Sequence, residues 1–206
     1  HEYQMTDDCR MTTDRFYGGV SNRLQNLRAM LQYVRDAQPS RPELTDWVIQ
    51  HTQAGSADAV NHHLTFLSSI EVIELSDPNC ALGEYGHQWL RDEDPETLYE
   101  ALSAGVKGFD TLLAALTEDP MTDEDIMNLL VSEFDEAEMT TPGPAARHRE
   151  WLEVLGFIER EDGVARLTSE GRALLDGTFS GTDSSAMCQP PTEVTIEDRL
   201  TQEEIE

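Results

Sequence analysis

Residues 148–175, HREWLEVLGFIEREDGVARLTSEGRALL, align without a gap on residues 63–90, HLTFLSSIEVIELSDPNCALGEYGHQWL, at a constant offset of 85 positions. The apolar positions coincide. Phe66 meets Trp151, Leu67 meets Leu152, Ile70 meets Leu155, and Val72 and Ile73 meet Phe157 and Ile158. Further on, Leu82 meets Leu167, Gly86 meets Gly171 and Leu90 meets Leu175. Polar neighbours hardly match, so the repeated object is a fold rather than a surface. Upstream the offset becomes 82, pairing Leu27, Met30, Leu31 and Val34 with Phe109, Leu112, Leu113 and Leu116, and Leu44, Trp47 and Val48 with Ile126, Leu129 and Leu130. A three-residue difference in loop length accounts for the change. Each unit has roughly 70 to 80 residues, a size at which small domains gain stability by packing together.

Each unit reads as helix, helix, helix, hairpin, helix. In the first, Leu24, Leu27, Leu31 and Val34 recur at helical spacing. Ser40-Arg41-Pro42-Glu43 has the spacing of a capping box, with proline in the first turn where its missing N–H costs nothing. Gly55-Ser56 then restarts the chain as a third helix with Val60, Leu64, Leu67 and Ile70 on its apolar face. Val72–Leu75, the turn residues Asp77-Pro78-Asn79 and Ala81–Gly83 predict a hairpin. In the second unit Thr122 caps a helix that opens with Asp123–Asp125, suited to the positive end of the helix dipole. Thr141-Pro142-Gly143-Pro144 precedes the third helix, Glu161-Asp162-Gly163 turns a tight hairpin, and Thr168 starts the last helix. Between the units, Asp94-Pro95-Glu96 starts a connector helix carrying Leu98, Tyr99 and Leu102, interrupted at Gly105 or Gly108. The expected organisation is a flexible segment over residues 1–19, a first domain over 20–92, a connector and second domain over 93–176, and a disordered acidic tail over 177–206. Val194–Ile205 has the alternative of a short acidic helix against a partner. Met5 and Met11 are both plausible starts.

The 206 residues are 38% hydrophobic, enough for real cores, yet carry 41 acidic against 14 basic side chains, a formal net charge of −27. Lys107 is the sole lysine; the other basic residues are arginines. At a Debye length of about 8 Å such a surface repels itself, whereas at molar salt, with about 3 Å, the repulsion is screened. The composition therefore predicts an acidic, halophilic protein of a cytoplasm rich in potassium chloride. No run approaches the roughly 18 apolar residues of a membrane span. Cys9, Cys80 and Cys188 lie far apart without CxxC or matching histidine spacing, so free thiols are expected rather than a disulfide framework or zinc site. His62-His63 and His87 lack a completing ligand, since adjacent helical positions point about 100° apart. The acids at Asp123–Asp125, Glu133, Asp135 and Glu136 lack the glycine spacing of a calcium loop and a catalytic constellation. The expectation is no metal, no cofactor and no enzymatic activity.

At "LTFLSSIEVIEL…ALGEYGHQWL" and "REWLEVLGFIEREDGVARLTSEGRALL" the chain resembles winged helix-turn-helix proteins, whose third helix ends in a "WL..LG.IE" run and whose wing closes on "LT..GR.LL". It is most similar to the paired winged-helix regions of haloarchaeal proteins, some attached to restriction or nuclease domains. The resemblance covers about residues 20 to 176. It implies a mainly α fold with small β-hairpin wings (α+β), in two tandem winged-helix domains. It also implies contact with double-stranded DNA through the third helices and wings. Carried over by position, the candidate contacts are Asn61 and His62 in the first unit and Arg147, His148 and Arg149 in the second, with Arg160 and Arg166 flanking the second wing. Arginine and asparagine have the donor geometry for guanine and adenine edges. His148 either joins that surface or packs at the helix edge, and the arginines either face a groove or neutralise Glu150, Glu153, Glu159 and Glu161. The third helix of the first unit departs from the pattern, with no arginine or lysine and with Asp58. The second unit is therefore the expected DNA reader in a transcription regulator. The alternative is a protein-protein interaction module of a defence (restriction-type) or replication complex, docking through the first unit or the acidic tail.

Overall fold

In a computed structural model, which describes residues 9–10, 13–134 and 139–180, the first unit comprises α1 (Gly19–Ala37), α2 (Arg41–His51), α3 (Ala57–Ser69), a hairpin of β1 (Ile73–Glu74) and β2 (Ala81–Leu82), and α4 (Glu84–Asp92). α5 (Pro95–Gly105) leads into the second unit of α6 (Phe109–Ala115), β3 (Met121–Thr122), α7 (Asp123–Glu133), α8 (Gly143–Val154), a hairpin of β4 (Ile158–Glu161) and β5 (Val164–Leu167), and α9 (Ser169–Ser180). The fold is the expected α+β arrangement of two winged-helix units. Local chemistry sets the boundaries. Ser40 Oγ accepts from the Glu43 amide at 3.3 Å and Ser56 Oγ from the Ala59 amide at 3.2 Å. Thr122 forms a full capping box with Asp125, closing orphan N–H groups at the helix start.

The repeat extends to individual atoms. Val72 N donates to Leu67 O and Phe157 N to Leu152 O, both at 3.0 Å, while Gly83 N donates to Val72 O at 3.0 Å and Thr168 N to Phe157 O at 3.1 Å. At Gly86 and at Gly171 a Cβ would stand 2.1 Å from the carbonyl oxygens of Val72 and Phe157 respectively. Glycine is therefore demanded at both places by the same close approach of helix to strand. Each third helix also leaves through a left-handed residue, Glu71 at φ 60° and Gly156 at φ 84°.

The wings differ in one strand. In the second unit β5 is central, pairing with β4 and with β3, where Met121 faces Ala165. The equivalent pair in the first unit is Pro39 and Cys80. Pro39 has no N–H, so only its carbonyl takes part, accepting from Cys80 N at 2.7 Å. The first sheet stays two-stranded.

One continuous hydrophobic cluster runs through both units and the connector, from Phe16 and Leu27 through Leu102 and Phe109 to Leu175. α5 buries Leu98, Tyr99, Ala101 and Leu102, and the Tyr99 ring meets Phe157 edge-on with centroids 5.7 Å apart. Within the leading segment, Thr13 and Phe16 are buried, and Arg10 bridges Val106 of the connector. α9 continues to Ser180. The tail from 181 onward, with Val194–Ile205, and the two candidate starts, Met5 and Met11, lie outside the described residues. One expectation is corrected here. Cys9 is disulfide-bonded rather than a free thiol, whereas Cys80 is a buried free thiol; Cys188 lies outside the described residues.

Candidate nucleic-acid interface

The two third helices have opposite fates. Along α3, Asp58, His62, Thr65 and Ser69 are exposed at intervals of four, three and four, an outward stripe on one face. Along α8, no residue between Pro144 and Leu155 is exposed. Its apolar residues Ala145, Trp151, Leu152 and Val154 face the core, and His148, Arg149, Glu150 and Glu153 are taken up by partners.

Those partners come from the first unit, from the turn between α5 and α6, from α7 and from α8 itself. Arg23 of α1, 1% exposed, forms an ion pair with Glu150 of α8. Its Nε donates to the Phe16 carbonyl at 3.0 Å, and its guanidinium lies 4.7 Å from the centre of the Trp151 ring. Trp151 Nε1 donates to the Asp14 carbonyl at 2.6 Å. The Asp14 carboxylate in turn lies 2.8 Å from Nδ1 of His63 on α3. The segment before α1 thus straps the two third helices together. Burial raises the Asp14 carboxyl pKa, but His63, the Arg15 amide and the Arg147 charge outweigh it and hold the group below its ordinary range. Burial lowers the Arg23 pKa against the opposing pull of Glu150.

The candidate contact residues divide accordingly. His148 is fully buried, with Nε2 donating to the Lys107 carbonyl at 2.9 Å and the ring tilted 4.8 Å from Phe109. Burial depresses its pKa, opposed by the hydrogen bond to that carbonyl. Of its two readings, packing is the one seen, and His148 is corrected out of the reading surface. Arg149 is 7% exposed; it pairs with Asp123 through Nε at 2.6 Å and with Glu153 one turn along the helix. Burial lowers its pKa, but the two carboxylates prevail and raise it. Arg149 is therefore a buried neutraliser of acids, and it too leaves the reading surface. Arg147 is half-buried on the side of Asp14. Arg160 reaches Asp123 at 3.4 Å with its side chain 38% exposed, and Arg166, opposite Glu159 in the ladder, is exposed. In the first unit His62 is exposed. Asn61 is half-buried, donating through Nδ2 to Ala57 O at 3.0 Å.

One residue escaped the sequence reading. Arg41, exposed in the first turn of α2, reaches over α3, where Nε donates to Asn61 Oδ1 at 3.3 Å and Nη2 to Thr65 Oγ1 at 3.2 Å. It supplies the cation that α3 itself lacks. The signal was its spacing, since Arg41, Thr45 and Val48 share the face of α2 that packs on α3. Among the described residues no group of three or more His, Cys, Asp or Glu side chains is placed to hold a metal, and no helix is long and apolar enough to cross a membrane.

A family model described as the halobacterial double winged helix domain matches residues 21–172. No curated protein matches the chain. Among solved structures, the chain is similar to the protein in the "Crystal structure of pyrene- and phenanthrene-modified DNA in complex with the BpuJ1 endonuclease binding domain". The TM-score is 0.51 at 10% identity, over 94% of each chain. At that identity the likeness is one of fold.

Proposed function

The chain belongs to the halobacterial double winged helix domain family, and from that premise we propose that it binds duplex DNA, as a cytoplasmic transcription regulator of an extreme halophile. The outward stripe of α3 is the groove-facing surface, with His62 upon it and Arg41 of α2 and the half-buried Asn61 beside it, and Arg160 and Arg166 of the second wing touch the backbone. The role is one of binding, without cofactor or catalysis. The observation that carries this reading is the contrast between the third helices, α3 open along one face and α8 enclosed from Pro144 to Leu155. Support comes also from the BpuJ1 endonuclease binding domain, of similar fold and bound to DNA in its crystal structure.

Salt shapes the expected energetics. Affinity from counterion release falls steeply as salt rises, and few phosphate-neutralising side chains are available here. Direct hydrogen bonds and shape must carry a larger share. The test is a duplex-binding titration of the full chain in molar potassium chloride. Arg41→Ala and the pair Arg160→Ala, Arg166→Ala are expected to weaken binding, and Arg147→Ala to leave it unchanged. Loss on Arg147→Ala with no effect of the other variants would overturn the assignment to the first unit.

The absence of lysine and arginine from α3 itself, together with the exposed Asp58, favours a second reading. In that reading the same stripe docks a protein of a restriction-type defence or replication complex. Pull-down from a salty lysate separates the two, since a partner that survives nuclease treatment without DNA retention supports the second and sinks the first.

A further inference from the structure

Arg41 lines an open cleft of about 630 Å³ between α2, α3 and the loop of the first wing, together with Thr45, Asp46, Asn61, Asp77 and others. We infer that this cleft reads a G·C base pair, with the Arg41 guanidinium donating to the guanine edge and Asp46 or Asp77 accepting from the cytosine amine. The inference rests on the duplex-binding reading above and gives it a specificity-determining residue.

Three observations lead there. First, the guanidinium is held in place by two bonds to α3, Nε to Asn61 and Nη2 to Thr65. Both partners are neutral, so the positive charge is left available to a ligand. The bonds engage the Nε/Nη2 edge of the fork, and the second edge, Nη1 with the other Nη2 hydrogen, still carries a pair of donors. Two parallel donors on one edge match guanine O6 and N7, the commonest base-specific contact in the major groove. Second, Asn61 and Thr65 are themselves anchored. Asn61 Nδ2 donates to Ala57 O at 3.0 Å and Thr65 Oγ1 to Asn61 O at 2.8 Å. Asn61 is thus a positioning residue for Arg41 rather than a reader of adenine, because its amide oxygen and nitrogen are both engaged. Third, the exposed carboxylates of Asp46 and Asp77 share the cleft with Arg41. Two carboxylates repel a phosphate. An amine donor suits them, and the cytosine N4 amine lies beside guanine O6 in the same base pair.

The guanidinium has two possible DNA ligands, a base edge and a backbone phosphate, and their signatures differ. A base contact acts at one position of the site; a phosphate contact acts on all sequences alike and steepens the salt dependence by about one unit of slope. The experiment is selection from a randomised duplex pool in molar potassium chloride with the full chain, followed by titration of selected duplexes at several salt concentrations. Wild type, Arg41→Ala, Arg41→Lys and Asn61→Ala are compared. The wild type is expected to select guanine at one position over the other bases. Arg41→Ala should reduce that preference on the order of tenfold to a hundredfold, with preferences elsewhere retained. Arg41→Lys keeps the charge but loses the fork, and should fail at the same position. Asn61→Ala should weaken that preference partially and leave the slope against salt unchanged. A uniform fall in affinity on Arg41→Ala, restored by Arg41→Lys and accompanied by a shallower salt slope, would make Arg41 a phosphate contact and overturn the inference while leaving duplex binding intact. An unaltered preference in all three variants would remove Arg41 from the interface. If the wild-type chain retains no duplex, the binding reading falls and this one with it.

Discussion

Replacing Arg23 with alanine should open the junction between the two units at a cost of about 3 kcal/mol. The side chain is 1% exposed and its ion-pair partner Glu150 is 22% exposed. Removing one member of a buried pair commonly costs about 3–5 kcal/mol because the other charge is left uncompensated. Glu150 keeps some contact with water, which argues for the lower end. The truncation also removes the guanidinium from the face of Trp151 and leaves the Phe16 carbonyl without its donor. Urea unfolding of the full chain in molar potassium chloride measures the loss, and a double-mutant cycle with Glu150→Gln isolates the pair. Arg28 and Glu93 provide a comparison within the same molecule, an ion pair with side chains 44% and 52% exposed. An exposed pair couples by less than about 1 kcal/mol and is screened at high salt. The expected result is a coupling of about 2 kcal/mol or more for Arg23–Glu150 that persists in molar salt, against none measurable for Arg28–Glu93. Equal, small couplings for both pairs would refute the view that the junction is held by a desolvated charge pair.

Gly171→Ala should destabilise the protein by about 2 kcal/mol, since the new Cβ would stand 2.1 Å from the Phe157 carbonyl oxygen and the strain outweighs the gain of about 1 kcal/mol in helix propensity. Gly55→Ala, with nothing within 4 Å of the added carbon, is the neutral comparison in the same unfolding assay, and a more stable Gly171→Ala would contradict the close approach. Stability should also fall with acid because of His148. Burial holds its pKa below the ordinary 6.5, so below about pH 6.5 the unfolded chain takes up a proton that the folded one refuses, whereas above it the contribution is complete. The stability slope between about pH 7.5 and pH 5, at most about 1.4 kcal/mol per unit for one proton, should shrink in His148→Gln; an unchanged slope would assign it to other groups.

The fold was readable because spacing encodes it. The 85-residue offset pairs residues that occupy the same place in each core, and even the close approaches at Gly86 and Gly171 follow it. The inversion of the two third helices was not readable, for a physical reason. The run Arg147-His148-Arg149-Glu150 looks like solvated surface, yet two of the four are buried and the other two half-buried, since other elements supply the complementary groups. Those groups are Arg23, Asp123 and the Lys107 carbonyl, which lie 127, 26 and 41 positions away in sequence. One trace was present. Arg23 stands four residues before Leu27, on the buried face of α1, where an arginine calls for an acidic partner. Arg41 was missed for the converse reason, that it belongs to α2 while its guanidinium serves α3.

The enclosure of α8 bears on the shape of a target site. Two-fold dimers of helix-turn-helix proteins present two equivalent helices and select inverted repeats, one half-site for each. A tandem chain could imitate such a dimer only with both third helices facing outward. Here one copy of the helix has become the seam that joins the copies, so in the duplex-binding role proposed above the chain is a single-handed reader. Its footprint should lack a dyad, and its site should be short and directional, so that the orientation of the bound protein is fixed by the asymmetry of the sequence beneath it.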